Sequence, residues 1–188
     1  MNKALLAAAA LLAGGCQGEG ADKPDSNAAS PKAAAKGEQP KDHLFQALGG
    51  SAEHKTLANA LKAAGLTETL SGAQPYTLFA PTEAAFGKLP PGTANGLLAP
   101  EAKGQLVALL TGHIVPGMVT AEDLGRAIER GKGKAQLATV GGSNLSFARD
   151  GGSIVVTDAA GGRALVTGAE RLASNGVVHS VDGVLRSR

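Results

Sequence analysis

Leu172 to Leu185, LASNGVVHSVDGVL, limits the folds open to this chain more than any other stretch. Asn175 and Gly176 are turn formers, because both tolerate a positive φ. The run Val177, Val178, His179, Ser180 and Val181 that follows is rich in β-branched side chains, which favour extended backbone. Asp182 and Gly183 make a second turn, after which Val184 and Leu185 resume the apolar pattern. Standing alone, such a strand would expose apolar side chains and unpaired backbone groups. It has to enter an existing sheet, and the rest of the chain must supply that sheet.

Upstream, helical patterning comes first. Leu44, Phe45 and Leu48 share a helical face, and Leu57, Ala58 and Leu61 repeat the spacing within His54–Ala64, with Ser51 as a cap candidate. Pro75 to Ala80 reads as a short buried strand. Thr82 then caps a helix with Glu83 in its first turn and Phe86 and Leu89 on its apolar side. Pro90-Pro91-Gly92 is a breaker, Pro100–Leu110 a longer helix, and His113–Gly117 a strand closed by a Pro-Gly turn. Thr120–Arg130 is a further helix, in which Asp123 forms an imperfect capping box with Thr120.

From Lys134 the apolar period falls from about 3.6 to about 2. Strands near Leu137–Val140, Leu145–Arg149, Ile154–Thr157, Ala164–Thr167 and Val177–Val181 are separated by turn formers such as Gly141-Gly142 and Asp150-Gly151. The pattern predicts an antiparallel meander. Helices followed by strands define an α+β fold.

Only 3% of the residues are aromatic, so the core must be built from Leu, Val, Ile and Ala. Eighteen Lys and Arg stand against 16 Asp and Glu, a balance that excludes the concentrated positive charge of a nucleic-acid binder.

Met1 to Cys16, MNKALLAAAALLAGGC, has a basic Lys3, an apolar run from Ala4 to Ala13, and Gly14-Gly15 before the chain's one cysteine. The run is short for a membrane-spanning helix. The stretch resembles a bacterial lipoprotein signal peptide, although Ala13 stands where a larger aliphatic is preferred. The resemblance implies that residues 1–15 are removed and that Cys16 becomes the lipid-modified first residue. Each acyl methylene buried in membrane lipid would contribute about 0.8 kcal/mol. Gln17 beside the cysteine, rather than Asp, implies the outer membrane. Residues 16–42 are then the lipidated cysteine and a flexible tether poor in large apolar groups, spanning about 25–30 Å. Residues 43–188 form one domain.

Three blocks give that domain a resemblance to the fasciclin (FAS1) family. They are Tyr76-Thr77-Leu78-Phe79-Ala80-Pro81-Thr82-Glu83-Ala84-Ala85-Phe86, His113-Ile114-Val115-Pro116-Gly117, and Asn175-Gly176-Val177-Val178-His179-Ser180-Val181-Asp182. The resemblance implies a wedge of two β-sheets with helices packed around them. It also implies adhesion between cells or to a matrix, with a surface protein, polysaccharide or matrix component as partner. The motif positions it singles out are Thr77, Phe79, Pro81, Thr82, Phe86, His113, Pro116, Gly117, Asn175, Gly176, His179 and Asp182. Gly112 stands where the family often has Tyr, which weakens any transfer of animal integrin binding. A periplasm-facing envelope-organising or ligand-binding protein is the alternative reading, and an envelope hydrolase a more distant one.

No His-Glu-x-x-His, paired-cysteine, Gly-x-Ser-x-Gly or phosphate-loop pattern is present, so neither catalysis nor a bound cofactor or metal is expected. His179 and Ser180 are strand neighbours that face opposite sides, which excludes them as a catalytic pair. His113 and His179 are expected to hold structure by hydrogen bonding, and Asn175 and Asp182 to satisfy backbone at turns. Arg126, Arg130, Lys132 and Lys134 form a basic run suited to a solvated helix end.

Overall fold

The computed structural model describes residues 42–90, 92–168 and 170–186, all within the unit Gly37–Arg188. The expected leader, lipidated Cys16 and tether up to residue 41 lie outside the described residues. Among those described, no helix is long and apolar enough to cross a membrane.

Helices α1, Leu44–Gly49, and α2, Lys55–Ala64, each bury an apolar side, joined by a 3-10 turn at Ala52–His54. That turn moves the N-cap position of α2 to His54, and Ser51, the expected cap, makes no capping bond. A carboxylate distant in sequence does the work instead. The Thr56 amide and hydroxyl donate to Glu83 at 2.6 and 2.7 Å.

Then come α3, Thr67–Ser71, β1, Tyr76–Pro81, α4, Glu83–Gly87, and α5, Thr93–Leu97. The expected helix from Pro100 is a 3-10 turn, Pro100–Ala102, followed by α6, Lys103–Thr111. Strand β2, Ile114–Pro116, leads to α7, Ala121–Arg130. At the start of α7 both halves of the Thr120–Asp123 capping box are formed. The remaining strands are β3, Lys134–Ala138, β4, Asn144–Asp150, β5, Ser153–Thr157, β6, Arg163–Leu165, β7, Arg171–Ala173, and β8, Gly176–Val181.

The strands form two four-stranded sheets, ordered β2-β1-β8-β7 and β3-β4-β5-β6. The second is the antiparallel meander expected from the turn dipeptides. Strand β8 does not extend it. It crosses to the first sheet, where it runs parallel to β1 and antiparallel to β7. The physical reason is burial on both faces, since β8 is buried at every position except Ser180. A meander edge would leave one face open, whereas a central strand between two layers covers both.

Two apolar clusters sandwich this first sheet. Leu78, Ala80 and Val178 face α1, α2, α3 and α6, contributing to a cluster with Leu44, Leu57, Leu61 and Leu110. Phe79 and Val181 face the meander and α7, packing with Leu124, Ile128, Phe147 and Val156. Each fully buried Leu, Val or Phe stabilises the fold by about 1.5–3 kcal/mol. The α+β wedge of two sheets flanked by helices is therefore the architecture of the described residues.

Candidate functional site

The three sequence blocks meet on the first sheet. Tyr76 pairs with Gly176 and Pro81 with Val181, so the first and third blocks lie side by side, with β2 of the second block on the other flank. Gly176 is required by close approach: a Cβ there would collide with the Tyr76 carbonyl and the Leu44 side chain. Neither Asn175 nor Gly176 has the positive φ that the turn reading assumed. Pro81 is accommodated because β2 pairs only with Tyr76–Leu78, so no neighbouring strand asks for its missing N–H. The sheet bond resumes at Thr82, whose amide donates to the Val181 carbonyl at 3.0 Å.

Facing the meander, Thr77 and His179 latch the loop between β2 and α7. The Thr77 hydroxyl donates to the Gly117 carbonyl and accepts the Val119 amide, both at 2.8 Å. His179 Nε2 bonds the Val119 carbonyl at 2.8 Å, so Nε2 carries the proton. Both polar backbone groups of Val119 are thereby satisfied. Gly117, at φ 97°, supplies the left-handed step after Pro116 that aims the loop back across the sheet. Phe79 stacks on the His179 ring at 5.4 Å and meets Phe147 at 5.2 Å. Glu170 then accepts the Ala121 amide at 2.7 Å and fixes the start of α7.

His113 ties down the C-terminal segment. Its Nδ1–H donates to the Leu109 carbonyl at 2.8 Å, and its Nε2 accepts the Leu185 amide at 3.0 Å. That pairing requires a neutral ring with the proton on Nδ1. Burial pushes the imidazole down to about 4, against the opposing pull of the Leu109 carbonyl and the Asp158 charge. Asp158, which the sequence reading passed over, completes the strap. Its Oδ2 accepts the Arg186 amide at 2.7 Å, while Oδ1 takes the Ala160 and Gly162 amides. An Asp ahead of Ala-Ala-Gly-Gly is an Asx-turn signal and could have been read as one.

Asn175 joins segments far apart in sequence rather than closing its own turn. Its carbonyl accepts the Leu44 amide at 2.7 Å, and its NH2 donates to Leu70 and Gly72 carbonyls at 2.9 and 2.6 Å. Asp182 accepts the Leu165 amide at 2.7 Å and pairs with Lys88 at 2.9 Å. Partial burial opposes its ionisation, but the Leu165 amide and Lys88 hold the carboxyl below its usual range. Thr82 caps α4 by accepting the Ala85 amide at 3.3 Å, and Phe86 packs half-buried on the helical cluster.

One contact is reminiscent of catalysis. His54 Nε2 lies 3.3 Å from the Ser180 hydroxyl, a pair joined across the fold and invisible to local motif reading. Among the described residues His54 Nδ1 has no hydrogen-bond partner, so no third member of the kind that orients a catalytic base is seen there. Burial lowers the basicity of both His54 and His179, opposed by Glu53 at the first and by the Val119 carbonyl at the second. Ser180 points away from His179, toward the helical layer. Among the described residues no cluster of His, Cys, Asp and Glu is suited to a metal ion. The motif side chains thus converge on main-chain atoms of their own domain, and what they build is a scaffold.

A sheet-over-sheet α+β wedge whose characteristic polar residues lock its own loops defines the structural class of this domain. Residues 52–187 match the fasciclin domain, and the chain belongs to that family. It is 39% identical over 142 residues to protein sll1483 of Synechocystis, covering 76% of this chain and 72% of the relative. Pig transforming growth factor-beta-induced protein ig-h3 is 32% identical over 78% of this chain, which spans only 20% of that longer protein. Human periostin is 32% identical over 58% of this chain and 12% of its own length. The FAS1 domain pair of the insect cell adhesion molecule fasciclin I superposes with a TM-score of 0.69 at 18% identity, covering 79% of this chain and 52% of the pair.

Proposed function

We propose that this protein is a lipid-anchored adhesion module of the bacterial cell envelope, held by an acylated Cys16 and a tether over residues 16–42. The observation that carries the reading is the inward commitment of Thr77, His113, Asn175, His179 and Asp182, each bonded to backbone of its own domain. Recognition therefore falls to the outer surface, where edge strands β6 and β7 present Leu165 and Leu172 at 40% and 45% exposure. Kinship with a protein named as an insect cell adhesion molecule supports noncovalent attachment to a surface protein, polysaccharide or matrix component. The leader and Gln17 support an outer-membrane location.

The test is adhesion of cells carrying the intact protein, a clean deletion, or Cys16→Ser. Deletion is expected to reduce attachment to matrix material, and Cys16→Ser to release the protein from membranes with loss of labelled palmitate. Unchanged attachment after deletion refutes the adhesive role. Protease digestion of intact cells separates the faces: cleavage marks display at the surface, and protection until the outer membrane is opened marks a domain facing the periplasm.

A further inference from the structure

Beside the scaffold, α5, α6 and the C-terminal strap enclose a cleft with a different character. It is open at one side and has a volume of about 410 Å³, within the range of roughly 300–1,000 Å³ usual for small-molecule sites. Leu89, Leu97, Leu109 and Val184 form its apolar walls. Thr93, Gln105 and Arg186 supply the polar groups at its edge. Among the described residues no carboxylate lines it, and Arg186 is the one charged group.

The cation is placed by architecture. The Arg186 amide is held by Asp158 at 2.7 Å and the preceding Leu185 amide by His113 at 3.0 Å, so the guanidinium projects from an anchored backbone. Among the described residues it has no acidic partner. Lys88, next to Leu89, is already matched by Asp182. Behind Leu97 and Leu109 lies an apolar niche of about 10 Å³, bordered also by Phe86, Leu98, Leu106 and Leu110. It is too small and too apolar to hold water well, and it leaves those two leucines room to shift.

We propose that this cleft binds a single-chain anionic amphiphile, a fatty-acid-like carboxylate, with its tail against Leu97 and Leu109 and its head on Arg186. Apolar walls favour the chain by burial, and a single guanidinium at the edge favours a planar, singly charged carboxylate. A zwitterionic or cationic head gains nothing there. The inference is independent of the adhesion reading, because neither the occupant nor its test involves another cell or a matrix.

The experiment is calorimetric titration of the folded protein with octanoate, decanoate and laurate below their micelle concentrations, alongside methyl NMR. Affinity is expected to rise roughly fourfold per added methylene until the cleft is filled. Shifts should concentrate on the methyls of Leu97, Leu109 and Val184. Decanol, with the same tail and no charge, should bind more weakly than decanoate. Arg186→Gln should weaken decanoate at least about fivefold and leave decanol unchanged. Gln105→Trp, crowding the cleft from an exposed position on α6, should weaken binding of both while leaving the amide spectrum of the fold intact. Absence of saturable decanoate binding overturns the proposal. So does binding indifferent to Arg186→Gln, methyl shifts located elsewhere, or association solely with anionic vesicles.

Discussion

Acid should weaken this domain well before its carboxylates protonate, and His113 is the main reason. The folded ring has its affinity for a proton lowered to about 4, while an unfolded histidine titrates near 6.5. The stabilisation is complete above the unfolded value and is lost as pH falls from about 6.5 towards 4, because the unfolded chain gains a proton that the folded domain refuses. At pH 4.5 the shift amounts to a loss of about 2.5 kcal/mol relative to pH 7. Set against a typical domain stability of about 5–15 kcal/mol, that is a large fraction. Burial pushes His54 and His179 in the same direction and steepens the slope.

The assay is urea unfolding of the wild type and His113→Asn across this pH range. The variant is expected to be less stable at pH 7, by about 2–3 kcal/mol for two lost hydrogen bonds in a buried site. It should also show a fall with pH that is smaller by about 2.5 kcal/mol. NMR of the imidazole nitrogens gives an independent readout, with His113 neutral and protonated on Nδ1 down to pH 5.5. Equal pH slopes in the two proteins, or a charged His113 ring at pH 5.5, would refute the reasoning.

Substitutions at four positions probe the remaining locks. Thr77→Val preserves shape but strands the Gly117 carbonyl and Val119 amide, and should cost about 2 kcal/mol in chemical denaturation, whereas Thr77→Ser should cost less. Asn175→Ala removes bonds to Leu44, Leu70 and Gly72 together, with an expected loss of about 3 kcal/mol measured by thermal and urea unfolding. Gly176→Ala forces a Cβ into the Tyr76 carbonyl and should abolish soluble folded protein; recovery of a wild-type melting temperature would contradict the close packing of β1 and β8. Asp182→Asn keeps the Leu165 amide bond and loses a half-exposed ion pair, so its effect should stay below about 1 kcal/mol.

Local chemistry in the sequence carried part of this structure and not the rest. Period-2 strands with intervening glycine turns read correctly as a meander, because such strands pair with their sequence neighbours. The partner of β8 is Tyr76–Pro81, and nothing in Gly176–Val181 itself encodes that parallel register. Helix α5 lies directly after Pro90-Pro91-Gly92, where the breaker signal outweighed a short helical run. Strand β7 covers just Arg171–Ala173, too short to display a period. At the site, Thr120 and Asp123 were legible because a capping box is local. The links from Glu83 to Thr56, from Ser180 to His54 and from Asn175 to Leu44 were not, since each joins elements that only tertiary packing brings together.

The alignment of residue 76 with residue 176 also sets the order of events during synthesis. A sheet whose inner member emerges about a hundred residues after its partner stays unfinished until that strand has been made, and closing so long a loop is slow. Early termination just short of Gly176 would therefore remove the central plank of the first sheet, leaving β1 with a naked side. Under the envelope location we propose, that delay is an asset: the polypeptide remains threadable for as long as its keystone is missing.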